Sequence, residues 1–306
     1  MNLFTKHYFL LVALLFIGIG SSQSQQLINK TFNGIQKLEI KSGSIEIQYE
    51  GNENRDYIDL EAFLGQEENA DKDLVMITVG NTLKIAYNGS SNGHQKNKKY
   101  IKISGPSEMQ LAVQSSSGSL RINGVSATSH QLEASSGQVK VSNIKGNLLL
   151  KASSGNLQLS HLTGNLDCRV SSGNASIEDV RGNMDFKATS GQLKARSVSG
   201  LLNAKLTSGN MKLSHIGELG SLEITSGNIK ADHSGLGAHT SMNGSSGNIQ
   251  INTISNINDY NFEMRAGSGN IRVGNRSGNK SIHIQNGKSV TIRGKVGSGN
   301  ISIQPI

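Results

Sequence analysis

The chain has 306 residues, with 36 glycines, two prolines, one cysteine, no tryptophan and a formal net charge of +8. One cysteine excludes an internal disulfide. Scarce aromatics argue against a large globular core, and abundant glycine with almost no proline indicates many tight turns, not a disordered linker. The charge implies a weak pull toward anionic surfaces without naming a partner.

Residues 1–24 read as a secretory signal. Lys6 is followed by an apolar run from Tyr8 to Ile19 and then by small polar residues, with Ser22 and Ser24 placed for cleavage. The run is too short for the ~20 residues of a spanning helix. The expected mature chain is 25–306, without a transmembrane segment and exported. No cysteine lies near the cleavage point, which argues against a lipid anchor.

Residues 25–113 hold alternating stretches such as "LEIKSGSIEIQY", "YIDLEAF", "LVMITV", "TLKIAY" and "KYIKISG", separated by polar loops. They are expected to form irregular first coils that cap an exposed edge. Residues 114–306 carry a regular repeat and a second cap. Gly137, Gly155, Gly173, Gly191, Gly209 and Gly227, each preceded by serine, recur at one constant spacing, and Gly146, Gly164, Gly182 and Gly200 fall halfway between successive members. A fixed period of this kind marks a repeat architecture.

Within each half, apolar residues stand two and four positions after the glycine, as Leu157 and Leu159 do after Gly155. Period-two alternation specifies strands. The fold class is therefore all-β: a single right-handed parallel β-solenoid with ~18-residue coils built from two nine-residue halves. Leu157, Ala175, Leu193, Met211 and Ile229 form one inward row, and Cys168 belongs to another as a small buried hydrophobe. Glycine supplies backbone angles at the corner that other residues resist. The asparagines after it, Asn156, Asn174, Asn210, Asn228, Asn248, Asn270 and Asn300, are placed to stack their amides. Near the end, Gly278 and Gly287 suggest a degenerate coil, and Pro305 would blunt the last edge.

The combination of "FNGIQKLEIKSGSIEIQ", "YIKISGPSEMQLAVQSSSGSLRI" and the train of "SSGN" and "TSGN" resembles the "putative adhesin" family of exported bacterial proteins, which includes GIN-type auto-transporter adhesin heads. The resemblance spans the mature chain and implies an exported β-solenoid that adheres to surfaces. It brings no catalytic residues.

Three surface constellations follow from the period. Lys151, Arg169, Lys187 and Lys205 lie four residues before successive marker glycines, so they form an outward row able to meet an anionic glycan or envelope polymer, with Asp167 and Asp185 beside it. The plain alternative is a solvated face neutralised by those aspartates. His161, Asp179, His215 and His233 share a second row, read as turn residues because spacing fixes no third metal ligand. Asp167 and Asp185 on adjacent coils would also approach the spacing of a retaining glycosidase pair, but there is no tryptophan to support a sugar ring. The turns lack the carboxylates of calcium-binding rolls.

The expected role is non-enzymatic adhesion at the cell surface or outer envelope, toward a glycan, an envelope polymer or another surface protein. No cofactor, metal or nucleic-acid partner is expected. A periplasmic scaffold is the alternative, and a polysaccharide-active enzyme a weaker one.

Overall fold

The computed structural model describes residues 27–65, 70–89 and 99–306; the signal segment lies outside them. The described chain is all-β, with no α-helix and two short 3-10 turns, Ala70–Asp73 and Ile257–Asp259. Through the middle, the chain pairs with itself in parallel at an offset of one sequence period. Gln138–Ala152 pairs with Asn156–Thr163 from Gln138↔Asn156 to Lys145↔Thr163, and with Leu166–Arg181 from Leu148↔Leu166 to Ala152↔Val170. The ladder runs on around the corners: Asn174 N–H donates to Gly155 O at 3.2 Å. As a result Met184–Ser234 is one unbroken 51-residue strand.

Alternation places the core inside these coils. Leu157, Leu159 and Leu162 from one half, and Leu166, Cys168 and Val170 from the other, are all buried. Each fully buried leucine stabilises the stack by roughly 1.5–3 kcal/mol. One continuous apolar cluster runs from Ile35 to Ile303. Burial pushes the Cys168 thiol up to about 12, so it behaves as a core hydrophobe.

The corner is doubly selective for glycine. Gly173 has φ +136°, and a Cβ built there would overlap the carbonyl oxygen of Gly155 on the preceding coil. The predicted amide stack forms beside it. Asn228 Nδ2 donates to Asn210 Oδ1 at 3.2 Å, and Asn248 Nδ2 to Asn228 Oδ1 at 3.3 Å.

A further interruption occurs once per coil. Asn143, His161, Asp179, Ser197, His215 and His233 all have positive φ, between 47° and 58°. Asparagine, aspartate and histidine tolerate this left-handed region better than most residues, which explains the polar identity of that row.

The ends depart from chain order. Thr291–Ser298 pairs in parallel with both Ser241–Ser246 and Asn261–Val273, and Ile301–Pro305 with both Ile249–Thr253 and Asn261–Val273. The last coil of the chain is thus inserted between its two predecessors. The amide stack follows this spatial order: Asn300 Nδ2 donates to Asn248 Oδ1 at 3.0 Å, and Asn270 N–H to Asn300 Oδ1 at 2.8 Å. Two expectations are corrected. Arg276–Ile284, which contains Gly278, is not a coil but an antiparallel strand folded onto Asn261–Val273. Pro305 does not sit on an outer edge, since it pairs with Thr253 inside the stack.

The other end uses the same device. Lys37–Ser42 lies between Gln110–Ser117 and Thr82–Tyr87, and Glu46–Asn52 lies between Leu120–Ser136 and Tyr100–Pro106, all in parallel. Antiparallel strands Leu74–Val79, Tyr57–Phe63 and Leu27–Asn33 then cover that end.

Candidate functional site

The parallel register brings the predicted basic row together. Lys151↔Arg169 and Arg169↔Lys187 are direct ladder partners. All four predicted residues, Lys151, Arg169, Lys187 and Lys205, line one groove of ≈ 720 Å³ that runs along the stack. Lys41 extends its cationic wall: Lys41↔Gln114, Gln114↔Glu133 and Glu133↔Lys151 are successive rungs. The opposite wall is a row of hydroxyls, Ser135, Ser153, Ser171, Thr189 and Thr207, supplied by the residue two before each marker glycine.

The groove exists because its floor is small. Ser42, Ser115, Ala134, Ala152, Val170 and Ala188 occupy the same position on successive rungs. The row is stopped by larger buried side chains, Tyr87 at one end and Leu206 at the other. Alternation sends the flanking cations and hydroxyls outward while these residues point in.

Neutralisation is partial. Lys151 Nζ lies 2.6 Å from Glu133, Lys205 Nζ 2.7 Å from Glu223, and Arg169 makes two hydrogen bonds to Asp167 at 3.1 and 2.8 Å. Hydrogen bonding from Lys151 holds the Glu133 carboxyl below its ordinary range, and Asp167 raises the Arg169 guanidinium. Lys187 makes no ion pair among the described residues. Asp167 and Asp185 lie outside the groove lining, which carries five cations (Lys41, Lys151, Arg169, Lys187, Lys205) against the one carboxylate of Glu133.

The other constellations do not assemble into sites. Asp167 and Asp185 are ladder partners, as the period required, but each is engaged: Asp167 by Arg169, and Asp185 Oδ1 by Asn203 Nδ2 at 2.9 Å. His215 and His233 stack at 5.2 Å with planes 13° apart, and His161 Nε2 lies 3.9 Å from Asp179 Oδ2. No group of three or more metal-binding side chains occurs among the described residues.

Sequence reading missed three features. Lys194, Lys212 and Lys230 also recur at the same period, and none of them lines the groove. The glutamates that end the cation row, Glu133 and Glu223, were in the same register. His130 takes a leucine's place in an inward row, paired with Leu148 and buried. Its Nδ1 accepts from Leu111 N–H at 3.4 Å, its Nε2 lies 3.2 Å from Lys145 O, and burial lowers its pKa.

A family model described as Toastrack DUF4097 matches residues 35–218 and 163–304. No curated protein matches the chain. It is similar to a crystal structure named "putative adhesin" from Parabacteroides distasonis ATCC 8503, at 13% identity over 93% of this chain and 98% of that one, with TM-score 0.44. A "putative adhesin" from Bacteroides fragilis NCTC 9343 gives 12% identity over 93% and 99%, with TM-score 0.29. A "putative lipid binding protein" from Parabacteroides distasonis ATCC 8503 gives 14% over 92% and 98%, with TM-score 0.32.

Proposed function

This chain belongs to the Toastrack DUF4097 family, and we propose that it is an exported, non-enzymatic surface-interaction protein whose groove holds an extended anionic polymer. The stacked coils form one right-handed parallel β-solenoid domain over 25–306, the hand that parallel β-crossovers adopt. Residues 1–24 direct its export to the cell surface or outer envelope.

The observation that carries this reading is the groove. A flat row of surface lysines would be ordinary solvated charge. Here five cations and one carboxylate line a concave channel with a hydroxyl wall opposite. Three rung steps from Lys151 to Lys205 span roughly 15 Å, longer than the ~8 Å screening length at physiological ionic strength. An extended polyanion therefore meets several cations at once, while a small anion meets one or two.

The test is retention of the mature protein on an immobilised anionic polysaccharide. Changing Lys151, Arg169, Lys187 and Lys205 together to Ser should lower the salt needed for elution while leaving folding intact. Changing Lys194, Lys212 and Lys230 to Ser removes nearly as much charge away from the groove and should matter much less. Equal losses from both sets would make the attraction a property of net charge and end the proposal.

A further inference from the structure

The two ends of the stack finish in different edge chemistry. At one end the outermost strand is Arg276–Ile284, which carries Arg276, Lys280 and His283 and pairs only with Asn261–Val273. Charges on an outer strand deter pairing with other chains. At the other end stands Leu74–Val79, paired with Thr82–Tyr87 along one edge and with no strand along its second edge among the described residues. Its sequence, LVMITV, holds no charge and no proline, and its pairing shows no bulge. Those are the devices that ordinarily blunt an edge.

Its side chains are open as well. Val75, Ile77 and Val79 are 42%, 54% and 59% exposed and alternate along one face. Through Val75↔Ala86 and Ala86↔Lys41, that face is continuous with the outward face that carries the groove wall. Met76, on the other side of the strand, is only partly buried against the core. Aliphatic, β-branched residues on an uncharged and unpaired edge are a template for another strand.

A second copy of the same strand fits that template. Antiparallel pairing about Ile77 sets Ile77 against Ile77 and Val75 against Val79 on the open face, and Met76 against Thr78 on the other. Every cross-strand pair on the open face is then aliphatic. No charged residue falls between Leu74 and Asn81, so no like charges meet along the ladder. Lys84, the cation beside Ile77 on the neighbouring strand, is held by Glu39 at 3.2 Å. The chain's own segments between the described residues, 66–69 (QEEN) and 90–98 (SSNGHQKNK), have no apolar side chain to lay on Val75, Ile77 and Val79. Head-to-tail stacking would press Arg276 and Lys280 unpaired against this aliphatic edge, whereas a two-fold contact closes on itself. Across the core, the outer strand Leu27–Asn33 carries Lys30, so the pairing belongs to Leu74–Val79 alone.

We infer that Leu74–Val79 is a dimerisation edge, where two copies join head to head through antiparallel pairing of this strand about Ile77. The two sheets become one, and both grooves come to lie on the same face of it. The dimer does not depend on what the groove binds.

The experiment measures the mass of the mature protein by analytical ultracentrifugation over a micromolar concentration series. The parent should form a dimer and no larger species. Ile77→Lys places two lysines opposite one another and should raise the dissociation constant at least about tenfold. Ile254→Lys, at a similarly exposed isoleucine that bonds to Ser234 well along the stack, should leave the dimer unchanged. Val79→Lys should also weaken the dimer, and adding Val75→Glu to it should restore it, because residue 75 faces residue 79 across the two-fold; a folding defect would not be repaired by a second charge. A parent that stays monomeric, a dimer that survives Ile77→Lys, or masses that grow past the dimer would each overturn the assignment. So would a monomer that floats with neutral phosphatidylcholine vesicles, which would make the edge a lipid contact.

Discussion

The middle of this molecule and its two ends obey different rules. Between Leu120 and Ser234, neighbours in space are neighbours in sequence, one period apart. At both ends a terminal coil is inserted between others: Lys37–Asn52 beneath the coil of Thr82–Tyr87 and Tyr100–Pro106, and Thr291–Pro305 beneath Asn261–Val273. A stack that simply stopped would leave a chain terminus as its outermost rung, free to fray and to pair with other molecules. At one end insertion buries the last strand, Ile301–Pro305, within ladders on both sides; at the other it buries Lys37–Asn52, while the preceding strand Leu27–Asn33 lies outside on Tyr57–Phe63. The outermost layer becomes an antiparallel strand, such as Arg276–Ile284. Local repetition builds the body, and long-range pairing closes it.

The largest effect should come from breaking that closure. Deleting residues 289–306 removes a coil from inside the stack, so Asn261–Ile284 loses its parallel partners as well. Limited proteolysis with mass spectrometry should then find new cleavage across 261–284. In a stack that followed chain order, the same deletion would trim only the last layer and leave 261–284 protected.

A substitution in the body should act more locally. Gly173→Val puts a β-branched side chain at a positive φ and into the carbonyl of Gly155. Strain and overlap together should cost about 3 kcal/mol or more, read as a lowered denaturation midpoint. Unchanged stability would show that the corner does not require glycine.

A smaller effect lies at the junction of body and cap. Buried His130 is held neutral, with its pKa lowered by burial. The unfolded chain therefore binds this proton first as pH falls. Stability should be full above about pH 6.5 and decline below it, by at most ~1.4 kcal/mol per pH unit from this group, until the folded-state pKa is reached. His130→Met should flatten that part of the profile. An unaltered profile would mean that other groups set it.

These contrasts explain what was legible in the residues. The period, the inward rows, the glycine corner and the asparagine stack all follow from local spacing, because each coil repeats the same constraints. Lys151, Arg169, Lys187 and Lys205 could be aligned for the same reason. The insertion of Thr291–Pro305 could not be read that way. It pairs with Ser241–Thr253 across the whole intervening segment of Asn261–Ile284, and alternation says nothing about which rung a strand joins. Nor could the groove. It depends on a row of small floor residues whose first member, Ser42, aligns with the repeat only through a long-range pairing with Ser115. Of the left-handed row, His161, Asp179, His215 and His233 were visible as turn residues, but its backbone role, and the membership of Asn143 and Ser197, became clear only from the dihedral angles.

The most direct test of the groove is lysine footprinting on the mature protein. An amine-acetylating reagent is applied with and without a bound anionic polysaccharide, and each lysine is quantified by mass spectrometry. Lys151, Lys187 and Lys205 should be protected by the polymer, while Lys194, Lys212 and Lys230, outside the groove, react as before. Protection of both rows alike, or of the second row alone, would contradict the assignment of the groove as the binding surface.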